Sequence, residues 1–400
     1  MTGQRRLATS LVVALVALTW CLTGCTAGPA SRPAAPAAAA TTTPRPPPVV
    51  VPQPVVRAAV DLSPAVAGPA EVVAAVATPD GGADVVLQPD GDGPLVVATV
   101  DPAGTLVRST GAPALAQVFG VHLLADGEVV ITGQFPRPTR DYGFVAVDPV
   151  SGAARTVVAE RYERGTAFSF GRSALSADGT RLFLFVATAV DIRNLDLIVA
   201  VDPRTGAFLG GRDLFEERRQ ISGYPVATHS SGLLARPDGG VTLAFDAWAD
   251  GADVIPDPGV LAYDADLNPV GTPTRVAVPM GASDVQAAAI APDGSVHLVV
   301  QPRDGDLLVT VRGSTAVDVV DLGGHAYDDA LAIDPAGDWA VLPSASGARA
   351  VDLRTGGIGR VDVGCASVEP VYGVVQGAGS TRALLLGRCG ETPMLWLLGG

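Results

Sequence analysis

Lysine is absent from this chain of 400 residues, so all 27 of its basic residues are arginine, set against 41 acidic residues. The resulting net charge of −14 lacks the basic footprint that a nucleic-acid partner requires. It equally excludes electrostatic attraction to anionic lipid headgroups. Histidine is scarce, with four in the chain, and no His-x-x-x-His, Cys-x-x-Cys-His or Gly-x-Ser-x-Gly pattern occurs, which removes the motif grounds for a metal or catalytic site. The four cysteines fit no zinc spacing. Helical signals are missing too: no stretch of about twelve residues combines a 3.6-residue apolar period with caps.

The N-terminus carries a targeting pattern. Arg5 and Arg6 precede a mostly apolar run from Leu7 to Leu22, and Leu22-Thr23-Gly24-Cys25 follows. This ending matches the bacterial lipobox, which implies a signal peptide over residues 1–24 and a diacylglycerol-bearing Cys25. A transmembrane anchor is the alternative, but it leaves the small-small-Cys ending unexplained. Removing residues 1–24 takes away Arg5 and Arg6 and no acid, so the mature chain is more acidic still. With no lysine and with heavy Ala, Val, Gly and Pro usage, the chain is similar to those of high-GC actinobacteria. The expected location is the cell membrane, lipid-anchored on its extracytoplasmic face. Residues 25–54 read as the lipidated cysteine and a linker of partly extended polyproline character; nine prolines fall between positions 26 and 56. Thr41, Thr42 and Thr43 are either O-glycosylation acceptors or part of a bare spacer. Cys21 leaves with the signal peptide, so Cys365 and Cys389 remain as an even pair in an exported protein, where a disulfide is expected; two buried thiols are the alternative.

From residue 55 to residue 400 one signal recurs seven times: an apolar run, a glycine turn and a second apolar run. The turn glycines are Gly81, Gly127, Gly179, Gly239, Gly294, Gly337 and Gly379, spaced by 46, 52, 60, 55, 43 and 42 residues. Such a period, with strand-like segments on both sides, predicts an all-β fold, a seven-bladed β-propeller. The third repeat sets the expected layout: strand A over 173–177, strand B over 180–187, a loop over 188–194, strand C over 195–201, and strand D over 207–214 after Asp202-Pro203-Arg204-Thr205-Gly206. The second turn recurs over 101–104, 148–152 and 352–356, with a looser form over 264–268. The seventh repeat has strands over 371–375, 381–386 and 394–398 but stops before a strand D. A spare strand-like run, Val55 to Leu62, precedes the first repeat. Pairing it with blade seven would close the ring and remove an exposed sheet edge.

The segments Ala291-Pro292-Asp293-Gly294, Ala200-Val201-Asp202-Pro203-Arg204-Thr205-Gly206 and Ala350-Val351-Asp352-Leu353-Arg354-Thr355-Gly356 resemble YVTN-type and PQQ-like propeller repeats. The resemblance covers residues 55–400 and implies architecture. Quinoprotein repeats place a tryptophan a few residues after the Thr-Gly, where this chain has Phe208 and Ile358; no cofactor is expected.

This layout puts both tight turn classes on one rim and the long B–C and D–A connections on the other: 134–142, 160–172, 191–195, 215–231 and 245–259. Variable loops on a rigid scaffold are where binding resides. They carry residue types that dominate interfaces, and the candidate ligand face is Arg140, Tyr142, Tyr162, Arg164, Arg218, Tyr224, Trp248 and Tyr327. Cys365 and Cys389 map to the same rim. His122 and His297 read as structural; His229 and His325, with Asp328, Asp329, Glu216 and Glu217, are the one set that could build a metal or acid–base site, without motif support. Asp250-Gly251-Ala252-Asp253 reads as a solvated acidic loop rather than half of a calcium site. No catalytic residue and no metal are predicted. The expected function is a monomeric, membrane-tethered binding or scaffold module for a protein or cell-envelope polymer. The rival is a propeller enzyme, either a lactonase-like hydrolase or a quinoprotein-like oxidoreductase.

Overall fold

The computed structural model describes residues 53–399 except 91–92, 137–141, 159–167, 191–192, 215–226, 249–257, 277–283, 303–304, 314, 324–329, 345–346, 366–367, 370–373 and 377–382. These residues form a seven-bladed β-propeller: seven antiparallel sheets, each a meander of strands A to D from the inside outward. Blade one is Ala70–Ala77, Ala83–Pro89, Leu95–Val100 and Leu106–Ala112. Inner strands of successive blades lie side by side.

The core explains why the strands read as unbroken apolar runs rather than alternating ones. It is divided into seven clusters, each a wedge between two neighbouring blades. In strand B of blade one, Val85 and Leu87 face blade seven while Val86, between them, faces blade two. Both faces of such a strand are buried, so period-two patterning is erased.

The ring closes as expected. Val55–Asp61 pairs antiparallel with Thr392–Gly399, from Val55 opposite Gly399 to Asp61 opposite Met394, and becomes strand D of blade seven. C–D turns of several blades also dock on strand D of the blade before them. The Thr110 hydroxyl donates to the Pro149 carbonyl at 3.2 Å, Thr274 to Gly313 at 3.4 Å, and Arg155 to the carbonyls of Pro203 and Arg204. The Arg155 contact belongs to a wider clasp between blades two and three, in which Arg155 pairs with Glu128 at 2.6 Å and Arg204 with Asp126 at 2.5 Å.

Several expected boundaries shift. In blade three, strand A starts at Phe168, strand B runs to Val190 and strand C begins at Arg193. Val190 pairs with Arg193, so the loop expected over 188–194 is mostly ladder. Strand A of blade four likewise begins at Ala227. The reason is a bulge repeated in inner strands. Register slips at Val73, Phe119, Gly171-Arg172, Ser231 and Gln286, in each case about eight residues before the turn glycine. A bulge inverts the alternation, and a reading from the turn backwards stops there. In blade seven, strand A is Val368–Glu369 and Val374–Gln376, strand B is Ala383–Cys389 and strand C is Thr392–Gly399.

Closure leaves a mutational signature at Gly104, in the C–D turn of blade one. Its φ is +84°, and a Cβ there would overlap that of Ala58 on the closing strand. Gly127, in an A–B turn at φ +90°, has open space around it. Gly127→Ala should cost about 1 kcal/mol of backbone strain, whereas Gly104→Ala should cost roughly 2–4 kcal/mol because the steric conflict adds to it. Equal losses in melting temperature for the two variants would remove Val55–Asp61 from the place assigned to it.

Candidate functional site

The two rims differ in chemistry because their turns differ. On the A–B turns an aspartate carboxylate accepts the N–H two residues on, and a hydroxyl two residues before it donates where one is present. Asp80 accepts from Thr78 Oγ1 at 2.5 Å and from Gly82 N at 3.2 Å, and Asp178 from Ser176 Oγ at 2.6 Å and Thr180 N at 3.0 Å. On the C–D turns Asp148, Asp202 and Asp352 each accept the N–H groups two and three residues on. These donors hold the carboxylates ionised: Thr78 beside Asp80, Ser176 beside Asp178 and Ser151 beside Asp148 keep each below the ordinary aspartate range. The tight-turn rim is therefore rigid and acidic.

The opposite rim carries the longer connections. Of the candidate ligand-face residues, Tyr142 opens strand C of blade two, half-buried, with its ring stacked 6.2 Å from that of Phe119. Trp248 closes strand B of blade four opposite Ala227, which sets its backbone on this rim. Arg140, Tyr162, Arg164, Arg218, Tyr224 and Tyr327 lie outside the described residues, as do His325, Asp328, Asp329, Glu216, Glu217, Cys25 and the Asp250–Asp253 segment. His229 is not in a connection: it sits in strand A of blade four opposite Asp246. Among the described residues no group of three His, Cys, Asp or Glu side chains is arranged to hold a metal.

Cys365 and Cys389 are brought together on this rim. Their sulfurs are 2.05 Å apart and their Cα atoms 5.8 Å apart. Cys365 lies in the connection into blade seven, and Cys389 ends strand B of that blade opposite Thr392, rather than lying in a loop.

Sequence reasoning missed a polar cluster at the junction of blades two and three. His122 Nε2 is 2.8 Å from Ser173 Oγ, Ser173 Oγ is 2.8 Å from Thr132 Oγ1, and Thr132 Oγ1 donates to the Gly120 carbonyl at 3.2 Å. With Thr132 committed to that carbonyl, the chain is satisfied when His122 donates to Ser173 and Ser173 to Thr132. Phe119, Thr132, Gly133, Gly143, Arg172 and Ser173 line a narrow recess beside it. The signal that could have found it is the inner-strand bulge, which places Phe119 and Arg172 there. His297 is tied within blade five. Ser295 donates to Asp293 at 2.6 Å and so accepts from His297 Nε2 at 3.2 Å, leaving Nδ1 to accept from Thr310 at 3.1 Å. Both described rings thus contact hydroxyls, and burial lowers each pKa to about 4.

Fold and rim together define a seven-bladed propeller with one acidic turn face and one face of longer connections. No protein-family model and no curated protein matches the chain. Among solved structures, a chain of the "Crystal Structure of Mitotic Checkpoint Complex" is similar at 12% identity and a TM-score of 0.45, over 69% of this chain and 75% of that one. A likeness at that level carries no argument about activity.

Two solution measurements follow. The disulfide closes a separation of 24 residues, so reductant should lower the melting temperature by an amount equivalent to about 2–4 kcal/mol while folding survives; an unchanged value would deny it a bracing role. For pH, the two histidines have folded pKa values below the unfolded value of about 6.5, so the unfolded chain binds protons first as pH falls. Stability should be full above pH 6.5 and decline towards pH 4. The His122→Gln/His297→Gln variant should show a flatter melting-temperature profile across that window, measured against its own value at pH 7.5.

Proposed function

We propose that this protein is a lipid-anchored binding module on the extracytoplasmic face of the cell membrane, engaging a protein or cell-envelope polymer through the long-connection rim. The observation that carries this reading is the separation of the rims by the meander. Tight, self-satisfied aspartate turns occupy one end, and the positions of Tyr142 and Trp248 belong to the other. The Phe119–Tyr142 stack supplies a preformed aromatic surface there, of the kind that anchors interfaces at low ordering cost. The anchor follows from the Leu22-Thr23-Gly24-Cys25 sequence. A hydrolase or oxidoreductase reading gains nothing from His122 and His297, whose described partners are hydroxyls rather than carboxylates.

The test is recovery of a crosslinked partner from the membrane of the native cell. Replacing Tyr162, Tyr224 and Trp248 with alanine should abolish recovery while the melting temperature stays within a few degrees of the parent. Undiminished recovery from the triple variant would move the binding face elsewhere.

A further inference from the structure

We infer that the tight-turn end of the propeller rests against a lipid bilayer, so that the long-connection rim faces away from the membrane; this rests on the anchor at Cys25 proposed above. The first observation is where the chain enters. Strand C runs towards the tight-turn rim, and Val55 pairs with Gly399 at the end of strand C of blade seven. The polypeptide therefore joins the propeller at that rim. Just before it, the Gln53 side-chain amide donates to the Arg360 carbonyl on the outermost strand of blade six at 2.7 Å, which fixes the entry on the outer wall.

The second observation is independent of the first. Single exposed apolar side chains are ordinary on any protein, but here their placement is systematic. Every large apolar residue that is exposed among the described residues lies on an outermost strand or in a C–D connection, and every blade has at least one. Val107 in blade one, Phe208 in blade three, Ile358 in blade six and Val55 in blade seven all stand at the tight-turn ends of their strands. Val150, in the C–D turn of blade two, is 77% exposed. Towards the other rim the exposed positions of the same strands turn polar: Val107 is followed by Ser109, Ile358 by Arg360, Val55 by Arg57 and Asp61, and Phe208 by Asp213. In blade five the exposed Val319 stands towards the other rim, so the apolar end of the outer wall is made by the other six blades, and the entry point is at that end. Apolar side chains spread around that end suit contact with the headgroup layer, where the ionised turn aspartates beyond them stay hydrated.

Charge sets which bilayer fits. The turn aspartates give this rim an acidic field, so a zwitterionic surface should be preferred, anionic lipid should weaken contact, and salt should restore it by screening.

The experiment uses the full lipidated chain in phosphatidylcholine vesicles, with a cysteine introduced at Val150→Cys or, on the opposite rim, Asp90→Cys. Maleimide labelling of each site is read by peptide mass. The Cys25→Ser chain carrying the same cysteine, produced without residues 1–24 and so free in solution, gives the reference rate. The expected result is labelling at position 150 slowed about tenfold on vesicles, with position 90 unaffected. Adding Phe208→Asp and Ile358→Asp should restore the rate at position 150 while the chain still floats with the vesicles. Equal labelling at both positions in a chain that floats would overturn the orientation and leave the anchor standing. A chain that fails to float would overturn the anchor and the orientation with it. Protection at position 150 that appears in the Cys25→Ser chain with rising protein concentration would assign the apolar end to a second copy of this chain and overturn the bilayer assignment.

Discussion

The pairing of Val55–Asp61 with Thr392–Gly399 is the contact on which the rest of the molecule depends. Without it the seven sheets would form an open arc with an unpaired edge at Thr392–Gly399. With it, the wedge between blades seven and one gains Val60 and Leu62, both buried, and the wedge between blades six and seven gains Val56. Trp396, fully buried on strand C of the closing blade, donates to the Val363 carbonyl at 3.0 Å. The Cys365–Cys389 link braces that blade at the far rim. Closure is therefore secured at both ends of one blade, by backbone pairing, packing and a covalent bond. No other described blade draws its strands from opposite ends of the chain.

Much of this was legible beforehand because propeller turns are sequence-encoded. Asp-Gly and Asp-Pro-x-Thr-Gly each name a residue that accepts local N–H groups and a residue that takes positive φ, so blade count and closing strand followed from counting them. The looser turn over 264–268 shows the limit of that code. Leu267 occupies the left-handed conformation at φ +61° and is buried among the residues between blades three and four. Its packing, invisible in the turn sequence, maintains a conformation that a leucine disfavours on its own.

Strand ends were less legible, and physical causes can be named. The inner-strand bulge hid the starts of Phe168–Leu175 and Ala227–Ala235. Burial on both faces removed the alternation that would have marked which residues touch which blade. The His122–Ser173–Thr132 chain was invisible because its members come from two blades and are 51 and 41 residues apart. The candidate ligand face divides similarly. Rim membership followed from connection length, but Tyr142 and Trp248 lie at strand ends rather than in loops, and His229 lies within a strand because the bulge at Ser231, two residues after it, was not anticipated. Exposed apolar residues on the outer wall were unreadable in principle, since valines at strand starts look alike whether they face a neighbouring blade or solvent.

The Gly104–Ala58 approach and the pairing around it have a further meaning for how the protein comes into being. The strand that completes the last blade is synthesised before every other strand of the ring and finds its partner only when Thr392–Gly399 has emerged. Until then blade one lacks the neighbour on which its C–D turn rests, and the outer edge of Thr392–Gly399 does not yet exist. Closure is then the meeting of two segments separated by almost the whole domain, a contact of high sequence separation that pays its loop-closure entropy before any reward. A chain interrupted before Thr392 would leave Val55–Asp61 without the strand it pairs with. The closed ring is in this way conditional on two segments far apart in the sequence being present together.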